Sequence, residues 1–418
     1  MFFNVAWHSL LNRKYAVLLA LISVTISIYA LLGVEHVRHE AKASFSKTIS
    51  GVDLIVGART GQLNLLLYSV FHMGSATNNI AWESFLELEN EPNVAWVIPI
   101  SLGDSHRGYR VTGTTQDYFK HFRFGQGTTL QFKEGRPFEQ LFDVVIGAAV
   151  AEKLGYRLYD EIILAHGLGQ TSFSLHDDYS FRVVGILQPT GTPVDQALYI
   201  SLQGMEAIHL NWKDGVKLPG RSVTAQTLDK LDLTPKSITA LMIGLKSKVT
   251  IFTVQRQINN YSKEPLTAIL PGIALAELWQ MMGVMENTLR LISALVLFSS
   301  LLGLSTMLLS SLRERRQEIA VMRAIGASPL FVFLVIQTET LLITATGMIA
   351  AVAALTVSIL SAQKYLLENY GVFIDSFILS SEMIIVLGSV LAGALMLGLI
   401  PSLSAYRMSL HHGLAAKA

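Results

Sequence analysis

The glycine-rich strings "GARTGQ" at Gly57 and "GLGQTS" at Gly167 are the nearest this 418-residue chain comes to a phosphate-binding loop. That loop needs the spacing GxxxxGK followed by Ser or Thr, because backbone N–H groups cradle the phosphates and the lysine neutralises them. Both strings lack the lysine, so the sequence predicts no ATP hydrolysis and no cofactor on this chain. Eleven histidines and no cysteine are present. Eight histidines lie between the first two long apolar runs: His36 and His39 just past the first, and His72, His106, His121, His166, His176 and His209 scattered beyond them. "SLHDDYS" sets His176 beside Asp177 and Asp178, a donor set that would ligate zinc if another segment supplied a further ligand. The plainer reading is a solvated polar turn, and the sequence assigns no metal ligand. No GxSxG or HExxH string occurs and spacing suggests no Ser–His–Asp arrangement, so no catalytic residue is expected.

Two features remain. "RERRQEIAVMRAIGAS", starting at Arg313, is a short charged insert between two apolar runs. Ile319, Met322 and Ile325 recur at a three-residue step along one helical face. Arg315, Arg316 and Arg323 are placed to meet headgroups or an acidic partner, and Gly326 can end the helix in the left-handed conformation that side chains disfavour. The apolar residues would form a knob for a groove on another protein; the alternative is an interfacial helix with arginine anchors. The second feature is Glu339 in "VIQTETLL", early in an apolar run, where a carboxylate is functional by default. With no continuous polar pathway around it, it is expected to pair with Arg323 or a neighbouring helix rather than conduct an ion.

The elements that must hold these residues are membrane spans. Hydrophobic residues make up 51% and charged residues 15%, and the mean hydropathy is +0.44, far from the roughly 25% charge of soluble domains. Four runs are long enough for roughly 30 Å of hydrocarbon, which takes about 20 helical residues: 15–34, 288–312, 330–358 and 383–400. Arg13 and Lys14 before the first run would also suit a signal peptide. The run is longer than a signal core, however, and "IYALLGVEH" offers no small-x-small cleavage site, so it is read as a retained anchor. Arg13 and Lys14, the arginines of 313–329, and Arg407 with Lys417 all fall on one side of a four-span chain. That side is cytoplasmic by the positive-inside rule. Residues 35–287 and the short loop 359–382 are then external, and the tail 401–418, with His411 and His412, is cytoplasmic. A net charge of +1 with no basic stripe excludes a nucleic-acid partner.

Residues 1–14 read as an amphipathic helix at the cytoplasmic membrane surface, which makes lipid a partner. Unbroken helical sequence continues past the first span to about Ser50 and precedes the second from Pro271, forming a stalk. Between these, "VDLIVGA", "VAWVIPISLG", "GYRVTGTT", "EIILAHG" and "FRVVGILQPTG" alternate β-branched runs with Gly and Pro. Helices are expected around "NIAWESFLELEN" and "TVQRQINNYSK", giving one α+β external domain with two lobes; Gln203–Lys236 is turn-rich and left open. Small residues four apart, Ser23 and Ser27, Ser299 and Gly303, Ser389 and Gly393, Ala394 and Gly398, predict close helix contacts within a bundle or across a dimer.

"RERRQEIAVMRAIGASPLFVFLVIQTETLL" resembles the cytoplasmic-loop motif of FtsX-like permeases, the ABC transporter membrane subunits that include the MacB and LolC/LolE types. "GLIPSLSAYRMSLHHGL", with Pro401, Ala405, Tyr406 and Arg407, resembles their closing signature, so 288–410 reads as the permease domain. "YRVTGTTQDYF", "EGRPF", "VVIGAAVAEKLG", "FRVVGIL" and "DQALYISL" are similar to the MacB-like periplasmic core. The fold implied is four transmembrane α-helices with a large α+β extracytoplasmic domain inserted between the first two on a helical stalk. The resemblance implies a bacterial inner-membrane permease that couples ATP hydrolysis on a separate ABC ATPase to periplasmic motion, or mechanotransmission, for export or envelope-type substrates. The docking set it implies is Glu318, Ile319, Met322, Arg323, Ile325 and Gly326. ATP and Mg would sit on the ATPase, which the MacB type carries fused and this sequence is expected to take from another chain. A second permease copy, identical or related, and a periplasmic adaptor or substrate protein are further implied partners. The alternatives are an FtsX-like regulator of a cell-envelope enzyme and, more remotely, a component of metal homeostasis. "GVDLIVGARTGQLNLLLYSVFH" departs from the lipoprotein-releasing members, so substrate does not carry over.

Overall fold

The computed structural model describes residues 2–167, 175–210, 212–213, 216–217, 231–370 and 380–411. The side chains of His176, Asp177, Asp178 and His411, together with His412 and most of the turn-rich segment after Leu210, lie outside what is described. The chain divides into two compact units: Met1–Glu40, Gly283–Gln363 and Ile374–Ala418 form one, and Ala41–Met282 with Lys364–Phe373 the other.

The first unit is a helical bundle. Among the described residues, four helices are long and apolar enough to cross a membrane: Lys14–Lys47, Pro271–Glu314, Pro329–Tyr370 and Ser381–His411. At 1.5 Å per residue the second is about 66 Å long, twice the hydrocarbon thickness, because no helix breaker interrupts it between Pro271 and Glu314. The third helix continues past Ser358 to Tyr370, so residues expected in the external loop are helical there; the sequence offers no Gly or Pro before Gly371. The fourth continues past Ile400 to His411, through Pro401. Proline removes one N–H and frees the carbonyl four residues back. That carbonyl, Leu397 O, accepts from Ser305 Oγ of the second span at 3.1 Å, so the freed acceptor is satisfied by a neighbouring helix.

Val24, Ile28 and Leu32, four apart on span one, pack with Leu297, Leu301 and Leu304 of span two, Ala351 and Leu355 of span three, and Val390 and Ala394 of span four. Leu19, Ile22 and Ile26 face outward although apolar, as expected where the solvent is lipid. Close approach depends on small residues. A Cβ on Gly398 would lie 2.9 Å from Gln337 Oε1 and 3.0 Å from Thr340, and one on Gly347 would lie 3.1 Å from Val24. Ser23 and Ser300 meet at 3.0 Å, joining spans one and two. Gly303, by contrast, faces open space. No Asp, Glu, Lys, Arg or His lies between Lys14 and Glu35. Glu35 closes the far end of the bundle by pairing with Arg290 at 2.8 Å and with Arg38.

The second unit is α+β. Ten strands form its main sheet: β1 (Leu54–Ala58), β2 (Val94–His106), β3 (Tyr109–Thr114), β4 (Phe132–Gly135), β5 (Asp143–Ile146), β6 (Glu161–His166), β7 (Leu175–Leu187), β8 (Ala197–Ser201), β9 (Ala240–Leu245) and β10 (Leu266–Ile269). The order is β10-β1-β9-β2-β3-β8-β5-β7-β4, with β6 pairing both β7 and β2. The β3–β8 and β5–β7 pairs are parallel and the others antiparallel. The two halves share β2: Val94–Ile100 pair with β9 and Ser101–His106 with β3. The helices Trp82–Glu89 and Ile251–Asn259 bury Phe85, Leu88, Val254 and Ile258 against the β1–β9 half. The expected "DYF" and "ALYIS" strings meet in an aromatic core, where Tyr118 stacks on Phe122 and on Tyr199 with ring centres 4.9 Å apart in each case.

Candidate functional site: the elbow between spans two and three

The insert folds as a helix, Arg316–Ala324, set off from the end of span two by a single non-helical residue, Arg315. Its far end is closed by two backbone bonds. Gly326 N–H donates to Arg323 O at 3.1 Å and Ala327 N–H to Met322 O at 2.9 Å, with Gly326 at φ +100°. This is the Schellman arrangement, and only glycine takes that φ without strain. Arg323 Nη1 adds a bond to Ala327 O at 2.7 Å. Span three then starts at Pro329, with Ser328 Oγ accepting from Phe331 N–H at 3.2 Å, a serine cap followed by proline in the first turn. Every bend of the elbow has a local cause in its residues.

Beneath the elbow lies a buried polar knot. Glu339 has no exposed side-chain surface and Arg315 only 7%; they bond at 3.0 Å. Ser9 Oγ of the amino-terminal helix Phe2–Asn12 donates to Glu339 Oε1 at 2.6 Å. Arg13, bonded to Ser9 at 3.0 Å, stands 3.8 Å from the other carboxylate oxygen. Arg315 Nε also reaches Glu318 at 2.8 Å. One carboxylate thus ties together the amino-terminal helix, the elbow and span three. Of the two expected partners, a neighbouring helix is met through Ser9, while Arg323 gives way to Arg315, the arginine before the elbow helix, which turns toward the bundle.

The six residues of the expected docking set do not share one exposed face. Ile319 is buried among Leu312, Val332, Ile336 and Ala405, and Met322 packs against the same cluster. Met322 also lines a cleft of about 390 Å³, with Arg315 and Glu318 on its side and Val5, His8 and Asn12 opposite. Arg323 is half-buried, while Glu318, Ile325 and Gly326 are exposed. The outward apolar pair is Val321, 61% exposed, and Ile325, 81% exposed. Val321 was missed because the three-residue step through Ile319 drew attention to the other apolar edge; its signal is the four-residue spacing to Ile325. Elsewhere, among the described residues, Asp104, His166 and His209 bring a carboxylate and two imidazoles together in the α+β unit, so histidines scattered in sequence are neighbours in space.

Residues 17–261 match the MacB-like periplasmic core domain family, and residues 290–410 match the FtsX-like permease C-terminal family. The chain belongs to the MacB/FtsX type of ABC permease. Solved structures similar to it include the periplasmic region of MacB from Actinobacillus actinomycetemcomitans, 13% identical, covering 55% of this chain and 94% of that one with a TM-score of 0.34. Another is the extracellular domain of the noncanonic ABC-type transporter YknZ from Gram-positive bacteria, 13% identical, covering 52% and 99% with a TM-score of 0.31. No curated protein matches the chain. As a MacB/FtsX-type permease it is a multi-pass membrane component of an ABC system.

Proposed function

We propose that this permease converts ATP hydrolysis on a separate cytoplasmic ATPase into motion of its α+β domain, with the elbow as the docking point. The orientation is both termini and the elbow in the cytoplasm and the α+β domain in the periplasm of an inner-membrane protein. Arg313 and Arg316, both exposed at the elbow, supply the positive-inside signal there. The observation that carries the reading is the division of labour within one short helix. Its inner face, Ile319 and Arg315, is fixed to the bundle, and its outer face leaves Val321 and Ile325 uncovered. A force applied to the outer face therefore reaches spans two and three through a buried ion pair rather than a loose loop. The substrate class, export or envelope-type, and a dimeric permease rest on family membership; ATP and Mg belong to the ATPase.

The test is capture of an ATP-hydrolysing subunit by the affinity-tagged chain from native membranes, read as ATPase activity of the captured complex. Wild type should bring it down and Ile325→Asp should not, while the two chains, each purified without the ATPase, elute identically from size exclusion. Equal capture by the two would remove the elbow as the docking point.

A further inference from the structure

We propose that Asp104, His166 and His209 form a binding site for a transition-metal dication of the zinc class, within the α+β domain and remote in function from the elbow. Three segments build it. Asp104 on β2 and His166 at the end of β6 are directly paired across the sheet, so their separation is set by the backbone ladder. His209 closes the helix Leu202–His209. His166 Nδ1 lies 3.2 Å from Asp104 Oδ1 and His209 Nε2 lies 3.3 Å from Asp104 Oδ2. One donor atom from each of the three residues falls within 4.8 Å of the other two.

The hydrogen bonding of His209 sharpens the case. Its Nδ1 stands 2.7 Å from Met205 O, a carbonyl that can only accept, so the proton of a neutral ring is on Nδ1. Nε2 then presents its lone pair to a carboxylate oxygen, and two acceptors facing each other need a positive centre, either a second ring proton or a metal ion. A metal ion supplies one, and an imidazole whose other nitrogen is anchored on a backbone carbonyl is the usual form of a metal-bound histidine. Each imidazole nitrogen stands from one carboxylate oxygen at about the 3.3 Å that zinc with ligands at roughly 2.0–2.1 Å in a tetrahedron sets between neighbouring donors. Two nitrogens and one oxygen suit zinc, copper or nickel and not magnesium or calcium, which take oxygen ligands. Asp104 is fully buried, but the His166 and His209 side chains are 36% and 29% exposed, leaving a solvent-facing side for ion entry and a further ligand.

His106 marks the contrast. It lies two residues from Asp104 on the same strand, but its Nδ1 meets Ile163 O at 2.7 Å and its Nε2 meets Tyr156 Oη at 2.9 Å. Neither partner is a carboxylate or a second imidazole, so His106 stands outside the donor cluster.

The experiment uses the full-length chain in detergent, carrying an affinity tag without histidine and stripped with chelator. Zn²⁺ in equilibrium dialysis should load one ion per chain, and Co²⁺ should give the visible absorption of a tetrahedral nitrogen–oxygen site. Mg²⁺ and Ca²⁺ should not compete. His166→Ala and His209→Ala should each weaken zinc on the order of 100-fold while keeping the metal-free melting temperature. Asp104→Asn should do the same; if it fails to fold, His166→Gln, at the most exposed of the three positions, carries the test. The proposal is overturned if the stripped wild type takes up no stoichiometric zinc. It is equally overturned if the histidine variants bind zinc as well as wild type, since the three residues would then be a protonated histidine–aspartate pair and nothing more.

Discussion

Glu339→Gln is the substitution that most directly probes how the elbow is held. Glu339 is fully buried and faces Arg315 at 3.0 Å, Ser9 at 2.6 Å and Arg13 at 3.8 Å. The amide keeps the volume and one acceptor but removes the charge, leaving Arg315 buried at 7% exposure without its main counter-ion. Breaking one side of a buried pair costs about 3–5 kcal/mol. Arg315→Met should cost less, because Arg13 is already near enough to take over part of the neutralisation. The double variant Arg315→Met with Glu339→Leu should recover most of the loss, since a buried pair replaced by apolar residues of similar size is often neutral or better. With Glu339→Leu and Arg315→Met as the single corners of the cycle, the double variant should therefore lose less than the two singles together. Denaturant titration in mixed micelles, followed by tryptophan fluorescence, measures each corner of the cycle. If Glu339→Gln unfolds within about 0.5 kcal/mol of wild type, or if the double variant loses the sum of the singles, the knot does not clamp the elbow.

Gly326→Val should destabilise the elbow by about 1–2 kcal/mol, because φ is +100° there; a Cβ would meet open space, so backbone strain is the whole effect. Gly326→Asn, which tolerates the left-handed region better, should fall between valine and wild type in the same titration. Gly398→Leu should force spans three and four apart, where even a Cβ would sit 2.9 Å from Gln337 Oε1. Loss of a cross-link between cysteines placed on those spans would report it. Single cysteines at Ser46 and Gln126 should react with an impermeant thiol reagent on intact cells and one at Ser328 should not; all three positions are exposed, and labelling at Ser328 would reverse the topology. The purified chain should show no saturable ATP binding at micromolar concentration.

Some of this was legible because its causes are local. Gly326 ends the elbow helix by its own backbone preference, and span lengths follow from apolar runs. The helices at Trp82–Glu89 and Ile251–Asn259 follow from their periodicity. What depended on distant partners was not legible. The elbow helix has two apolar edges, Ile319 with Met322 and Val321 with Ile325, and only the packing of Leu312, Val332 and Ala405 decides which turns inward. Glu339 was visible as an oddity, but four arginines in 313–329 were equally available to it, and the choice of Arg315 follows from the break between span two and the elbow. Asp104, His166 and His209 come from three separate elements that only the β2–β6 pairing brings together. Helix ends at Tyr370 and His411 lie beyond the apolar runs because hydropathy marks where the bilayer is, not where the hydrogen bonding stops.

The central claim is that the outer face of the elbow is where an ATPase sits. Fully burying an isoleucine stabilises a contact by about 1.5–3 kcal/mol. Ile325, 81% exposed, has most of that surface still to bury. Ile325→Ala should thus weaken docking about tenfold and Ile325→Asp by orders of magnitude, since a carboxylate in an apolar groove costs several kcal/mol. The most direct measurement places a photo-activatable cross-linking residue at position 325 in native membranes and identifies the adduct by mass spectrometry. An ATP-binding subunit should be captured at position 325 and none at Arg313, which is exposed near the end of span two. Adducts at 325 with lipid alone, or the same protein captured from both positions, would contradict it.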